Sequence, residues 1–226
     1  THPSQTTWYT NKMATVSWQI TELGSGIANV WAYPSSHPTE EITTISTEGT
    51  EKSSNDSFTM TDLNNGIWYL HLLAQDNTDR TAYTTYTIKI DAQTPDIVDI
   101  TGNYEGIWQN IDSGPAISWT NPNSVSGDTY YITNNGTEPT SANYAYATTS
   151  TTYNLPSQKE GETTIKVRAM NGAGAYSLTR SFVIRYDSVA PTNVSSLKAE
   201  SSTNGILLSW GNPTDTDLQK VVLIRN

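Results

Sequence analysis

Val16-Ser17-Trp18, Ile117-Ser118-Trp119 and Leu208-Ser209-Trp210 repeat one pattern, an aliphatic residue, a serine and a tryptophan. The three tryptophans lie 101 and 91 residues apart. That period is far too long for a solenoid turn and is close to the length of one β-sandwich. The pattern therefore predicts similar modules in series. It points toward surface architecture and binding rather than a single catalytic pocket.

Further landmarks keep step with the tryptophans. Leu70, Leu72 and Ala74 alternate along one segment, and Ile165, Val167 and Ala169 along another. Period two puts each set on one face of a strand. Turn-rich stretches follow, at residues 75–79 and 170–174, and read as hairpin loops. Last strands come next, Tyr86 to Asp91 and Phe182 to Asp187. Each unit closes on a similar joint, Asp91-Ala92-Gln93-Thr94-Pro95 and Asp187-Ser188-Val189-Ala190-Pro191. Proline ends the ladder and holds a short linker extended, whereas Gly/Ser tethers let modules tumble. These joints place domain boundaries near residues 93 and 189, giving units 1–93, 94–189 and 190–226. The third unit offers three strands, Val194 to Ala199, Ile206 to Trp210 and Lys220 to Arg225. So short a segment cannot close a sandwich core. It is read as cut from a longer chain, or as completed by a strand from another chain. Thr1 in place of an initiating Met also suits a mature or excised piece.

Composition narrows the function classes. Hydrophobic residues make up only 35%, but 7 Trp and 13 Tyr supply large packing surfaces, which argues against disorder. Abundant Thr, Ser, Tyr and Ile suit half-exposed strands, and no sustained apolar stripe of helical period appears. A formal net charge of −10 repels phosphate backbones and anionic lipid, which argues against nucleic acid as a partner. No apolar run is long enough to span a bilayer, no signal peptide is visible, and there are no cysteines. A cysteine-free chain suits the cytosol or an exported protein whose cores suffice without disulfides.

Gly205 to Leu218, with Val221, Leu223 and Arg225 after it, resembles the opening of a bacterial fibronectin type III domain. The first unit is similar to an Ig-like repeat of large bacterial cell-surface proteins. Its marks are His2-Pro3, Trp8-Tyr9, Val16-Ser17-Trp18, Gly66 to His71 and Ile88 to Asp91. Asn77-Thr78-Asp79-Arg80 stands where that family usually places a small residue, Gly and Asn. In the second unit, Tyr130 to Thr140 looks like a segment of Ig-like accessory domains in secreted glycosidases. The resemblance implies an all-β fold of tandem Ig-like/fibronectin III-like β-sandwiches, the third incomplete, in an extracellular prokaryotic setting. On function it says little, because these folds host many unrelated roles.

Trp18, Trp119 and Trp210, together with Trp68, are assigned to the structural cores. Trp31 and Trp108 fall outside the core register, and Tyr69, Tyr83, Tyr144 and Tyr146 sit where they can face solvent. Trp31, Trp108, Tyr144 and Tyr146 are thus the candidate ligand-binding rings, able to stack on sugars or anchor a protein; ordinary cross-strand packing is the competing reading. His2, His37 and His71 have no metal-ligand spacing and are expected to face solvent. Asp76 with Asp79, Asp215 with Asp217, and Asp91 or Asp187 could offer oxygens to Ca²⁺, though none fits a terminal-Glu calcium loop. No cofactor and no catalytic residue is assigned, because no nucleophile elbow, phosphate loop or zinc-protease motif is present. The expected function is a rigid spacer in an exported cell-surface protein: an adhesin stalk, an envelope layer or an appendage. Its partners would be neighbouring modules, further copies of the protein, or surface glycans and proteins. The alternative is a carbohydrate- or protein-binding accessory module of a secreted polysaccharide-active enzyme.

Overall fold

A computed structural model describes residues 1–97, 99–110, 114 and 116–224. The first eighty-odd residues alternate and turn as pleated strands require. They form β1 (Trp8–Tyr9), β2 (Ala14–Gln19), β3 (Ile27–Ser35), a helix α1 (Ile42–Glu48), β4 (Thr50–Lys52), β5 (Asn55–Met60), β6 (Gly66–Asp76) and β7 (Thr81–Ile90). One sheet has the order β1-β7-β6-β3-β4, and the other pairs β2 with β5. Ala14, Val16 and Met60 of the small sheet meet Ala32, Leu70, Leu72, Ile88 and Ile90 of the large one in one buried cluster. Two sheets facing across a shared core make a sandwich.

The next stretch repeats the plan. It runs through β8 (Ile100–Gly102), β9 (Trp108–Gln109), β10 (Ala116–Trp119), β11 (Asp128–Thr133), β12 (Tyr146–Thr148), β13 (Thr152–Asn154), β14 (Gly161–Asn171) and β15 (Arg180–Tyr186). Its sheets are β12-β11-β14-β15-β9 and β13-β10-β8. Strand for strand, the larger sheet matches its counterpart in the first unit, down to the short first strand lying parallel to the last. Trp8 is opposite Lys89 in one and Trp108 opposite Arg185 in the other. The second core gathers Ile97, Ile117, Trp119, Tyr130, Ile132, Ile165, Val167, Ala169, Phe182 and Ile184 and shares no residue with the first. Burial pushes the Tyr130 phenol up to about 12, where its ring meets Trp119 edge-on at 5.2 Å.

Residues 190–224 contribute only a hairpin, β16 (Ser195–Ser202) and β17 (Gly205–Gly211). Its register puts Ala199 opposite Leu208 and Ser201 opposite Ile206. No strand forms over residues 220–224, against expectation, and Arg225 lies outside the described residues. Trp210 likewise departs from its core assignment. It is 38% exposed, because two strands bring no second sheet to cover it, and its indole N–H donates to Asn212 Oδ1 at 2.9 Å. Trp119 is 5% exposed. Trp18 and Trp68 are half-buried at the margin of the first core, their indoles donating to the Ser53 and Asn64 carbonyls.

The helix was not visible in the sequence pattern. It is the only helix among the described residues, and Ile45 is its one buried residue. It packs on β3 and β6, on the side of the large sheet away from the core. The sheet is therefore covered on both faces there, which is why five consecutive residues of β6, Leu70 to Ala74, are buried. His71 is one of them, so its expected solvent exposure is overturned. His2 is overturned too: it is buried against Tyr9 at 4.3 Å, with its ring nitrogens on Thr1 Oγ1 and the Asn11 carbonyl. His37 is exposed.

Candidate functional site

Three places carry more chemistry than packing requires. The first is the outer face around His71. Cross-strand register puts Tyr33, Tyr69, His71, Tyr83 and Thr85 on the same side of β3, β6 and β7. The Tyr69 and Tyr83 rings stack on the imidazole with centroids 6.2 and 5.9 Å away. His71 Nε2 lies 3.1 Å from the His37 carbonyl, which can only accept, so Nε2 carries the proton. Nδ1 then accepts from the Tyr83 phenol at 2.7 Å. Ser35 Oγ lies 3.1 Å from Nε2 and accepts from the His37 amide. Burial holds His71 below the ordinary histidine value, against the opposing pull of its bond to the His37 carbonyl and the Glu40 carboxylate. Glu40 is in turn held low by hydrogen bonding to Ser35 and His37.

The second place is the joint after β7. Asp91 is fully buried. Its amide donates to the Tyr9 carbonyl at 2.9 Å, which fixes it to β1. Its carboxylate accepts from the amide of Ser126, at 3.2 Å, and from the Ser126 hydroxyl. Asn171, also buried, donates to the Gln93 carbonyl at 2.8 Å and accepts from the amides of Ala173 and Ala175. Gly172 closes the set, its amide donating to Ser126 Oγ at 2.7 Å. A Cβ on Gly172 would sit 2.8 Å from that of Ser126, so this approach requires glycine.

The third place is the next joint. A cleft of about 950 Å³ is lined by Trp108, Glu160, Tyr186, Asp187, Asp215 and Asp217, among others. Trp108 is 57% exposed there.

The candidate rings do not converge. Trp108 lines the cleft, whereas Trp31 is half-buried and stands beside Gly49 at the end of α1. Tyr144 leans on Tyr131 at 5.3 Å, in a patch with Tyr176 and the Arg168 guanidinium lying 4.5 Å over it. Tyr146 stacks on Tyr153 at 4.7 Å, spanning the gap between the two sheets. Of the oxygens considered for calcium, Asp91 Oδ1 is buried without a hydrogen-bond partner, and those of Asp76, Asp187 and Asp215 have partners. Asp76 Oδ1 accepts from the Thr78 and Arg80 amides, and the Arg80 amide chiefly holds its carboxyl low. Asp215 accepts from Thr192, and Asp187 from the Val189 amide. Among the described residues, no group of three or more His, Asp or Glu is placed to hold a metal.

No protein-family model and no curated protein matches the chain. Solved structures similar to it include fibronectin(III)-like modules of Clostridium thermocellum CbhA, at 10% identity over 80% of this chain and 88% of that one, with a TM-score of 0.39. The FN1–FN3 domains of chicken CNTN1 are similar at 14% identity over 78% of this chain and 63% of that one, with a TM-score of 0.35.

Proposed function

We propose that this chain is a spacer: a run of non-catalytic β-sandwich modules, bounded near residues 93 and 189, in an exported prokaryotic surface protein such as an adhesin stalk, an envelope layer or an appendage. The observation that supports this reading is the joint around Asp91. A linker meant to swing would leave its polar groups in water. Here the linker's carboxylate and carbonyls are held inside by Ser126 and Asn171. Neighbouring modules of the same chain are the first partners of such a segment, and further copies or surface ligands come next. No helix among the described residues is long and apolar enough to cross a membrane.

Small-angle scattering tests the reading. Strands of eight to ten residues give modules about 30 Å long, so the chain should scatter as an elongated particle of nearly fixed length. Ser126→Asp should broaden its distance distribution. A globular profile, or a flexible profile unchanged by the substitution, rejects the spacer. A second reading, an accessory module binding carbohydrate or protein, draws on the exposed Trp108 in its cleft. Glycan-array binding lost in Trp108→Ala would favour it.

A further inference from the structure

A histidine sealed beneath the covered face of a sheet has no water to accept its charge. His71 is fully buried: the Tyr69 and Tyr83 rings stack on it, the His37 carbonyl bonds it, and the segment 36–49, from the His37 turn through α1, packs on β3 and β6. We propose that this segment is an acid-released strap: neutral His71 holds it on the aromatic outer face of the first unit, and protonation lets it go. The inference does not depend on the spacer reading.

Burial is what favours the neutral ring: His71 is fully enclosed, and a charge there has no water around it. In the neutral ring Nδ1 accepts from the Tyr83 phenol; a proton on Nδ1 reverses that bond, with the hydroxyl accepting. Nε2–H holds the His37 carbonyl, so the imidazole joins β6 directly to the base of the strap. Several titratable groups face this ring. Glu40 and His37 lie on the strap, Glu48 on α1 beside the Tyr33 phenol, and Tyr69 and Tyr83 on the sheet. Glu40 is the one carboxylate favouring an imidazolium. Burial outweighs the raising pull of the His37 carbonyl bond and of Glu40. An imidazolium formed here reaches water by displacing the segment above it, which uncovers Tyr33, Tyr69 and Leu73.

The sign follows from proton linkage. The strapped state binds His71's proton more weakly than the released state, where the ring has its ordinary value. Strapping is therefore at full strength above the ordinary histidine value. It weakens as pH falls from there toward the lowered value. The second unit contains no histidine, so it provides an internal control.

Hydrogen–deuterium exchange on the intact chain between pH 7.5 and 5.0, corrected for intrinsic rates, reads the strap. Exchange of residues 42–48 should accelerate by up to about tenfold per pH unit below the ordinary value, while β14 stays unchanged. His71→Gln keeps a donor for the His37 carbonyl and an acceptor for Tyr83 but does not titrate, so its response should be flat. His2→Gln should respond as the parent does. Equal protection of 42–48 at both pH values overturns the proposal, as does an undiminished response in His71→Gln. Should that variant not fold, an NMR titration of the His71 ring in the parent decides. Opening must follow its protonation, and opening at a different midpoint overturns the proposal.

Discussion

Asp91 and Asp187 end equivalent strands, their amides bonded to the Tyr9 and Gln109 carbonyls of equivalent parallel partners, yet they sit in opposite surroundings. Asp91 is fully buried and Pro95 after it is buried; Asp187 is half-buried and Pro191 is exposed. The difference lies in what each carboxylate faces. Seven residues after Trp119 stands Ser126, whose hydroxyl and amide both donate to Asp91. Seven residues after Trp210 stands Asp217, a carboxylate that can only accept when ionised, lining an open cleft with Asp187. A donor across the gap closes the first joint, whereas Asp187 accepts from the amide of its own neighbour Val189 and lines a cleft. The linker sequence alone does not set how deeply a joint is buried; the loop it meets does.

The sharpest contrast across these two joints is in the cores beyond them. Trp119→Ala should destabilise the second unit by about 3–5 kcal/mol, because the ring is enclosed on all sides. Trp210→Ala should change stability by less than about 0.5 kcal/mol, since the ring is already partly in water. Denaturant melts of the two variants read both values. Equal losses would mean that the hairpin has a cover in solution and that the two regions are alike.

Exchanging the joint residues sharpens the comparison next. Ser126→Asp imports the second joint's carboxylate into the first, and Ser126→Ala simply removes the donor. Alanine leaves a buried carboxylate without its hydroxyl partner, at a cost of about 1–3 kcal/mol. The aspartate variant should lose more and should also loosen the two units in scattering. If Ser126→Ala melts like the parent, water already fills the joint and the clasp is not what fixes it.

Much of this was legible in the sequence because it is local. The Trp strands, the alternation along Leu70-Leu72-Ala74 and Ile165-Val167-Ala169, the loops and the proline joints all follow from period two and turn chemistry. Distant partners were not. Ser126 and Asn171 lie 35 and 80 residues from Asp91, so nothing near Asp91 predicts its burial. His71 stands at a position that alternation assigns to solvent; its cover is a Ser/Thr-rich helix with one buried residue, too short to show a periodic stripe. The parallel pairs of β1 and β9 span two residues each, below any patterning signal. Trp210 carries the same aliphatic-Ser-Trp pattern as Trp119 but has no facing sheet among the described residues, so the tripeptide alone does not bury its ring.

The smallest expected effect is the most diagnostic for the open joint. Trp8 and Trp108 are topological equivalents, but Lys89 Nζ lies 5.8 Å over the half-buried Trp8 ring, whereas Trp108 projects into the cleft. Trp8→Ala should therefore cost about 0.5–1 kcal/mol beyond its lost packing, through the cation–π contact. Trp108→Ala should leave stability within about 0.5 kcal/mol of the parent. If Trp108→Ala instead destabilises as much as Trp8→Ala, the cleft is closed in solution by the residues that line it, and the two joints are then variants of one closed design.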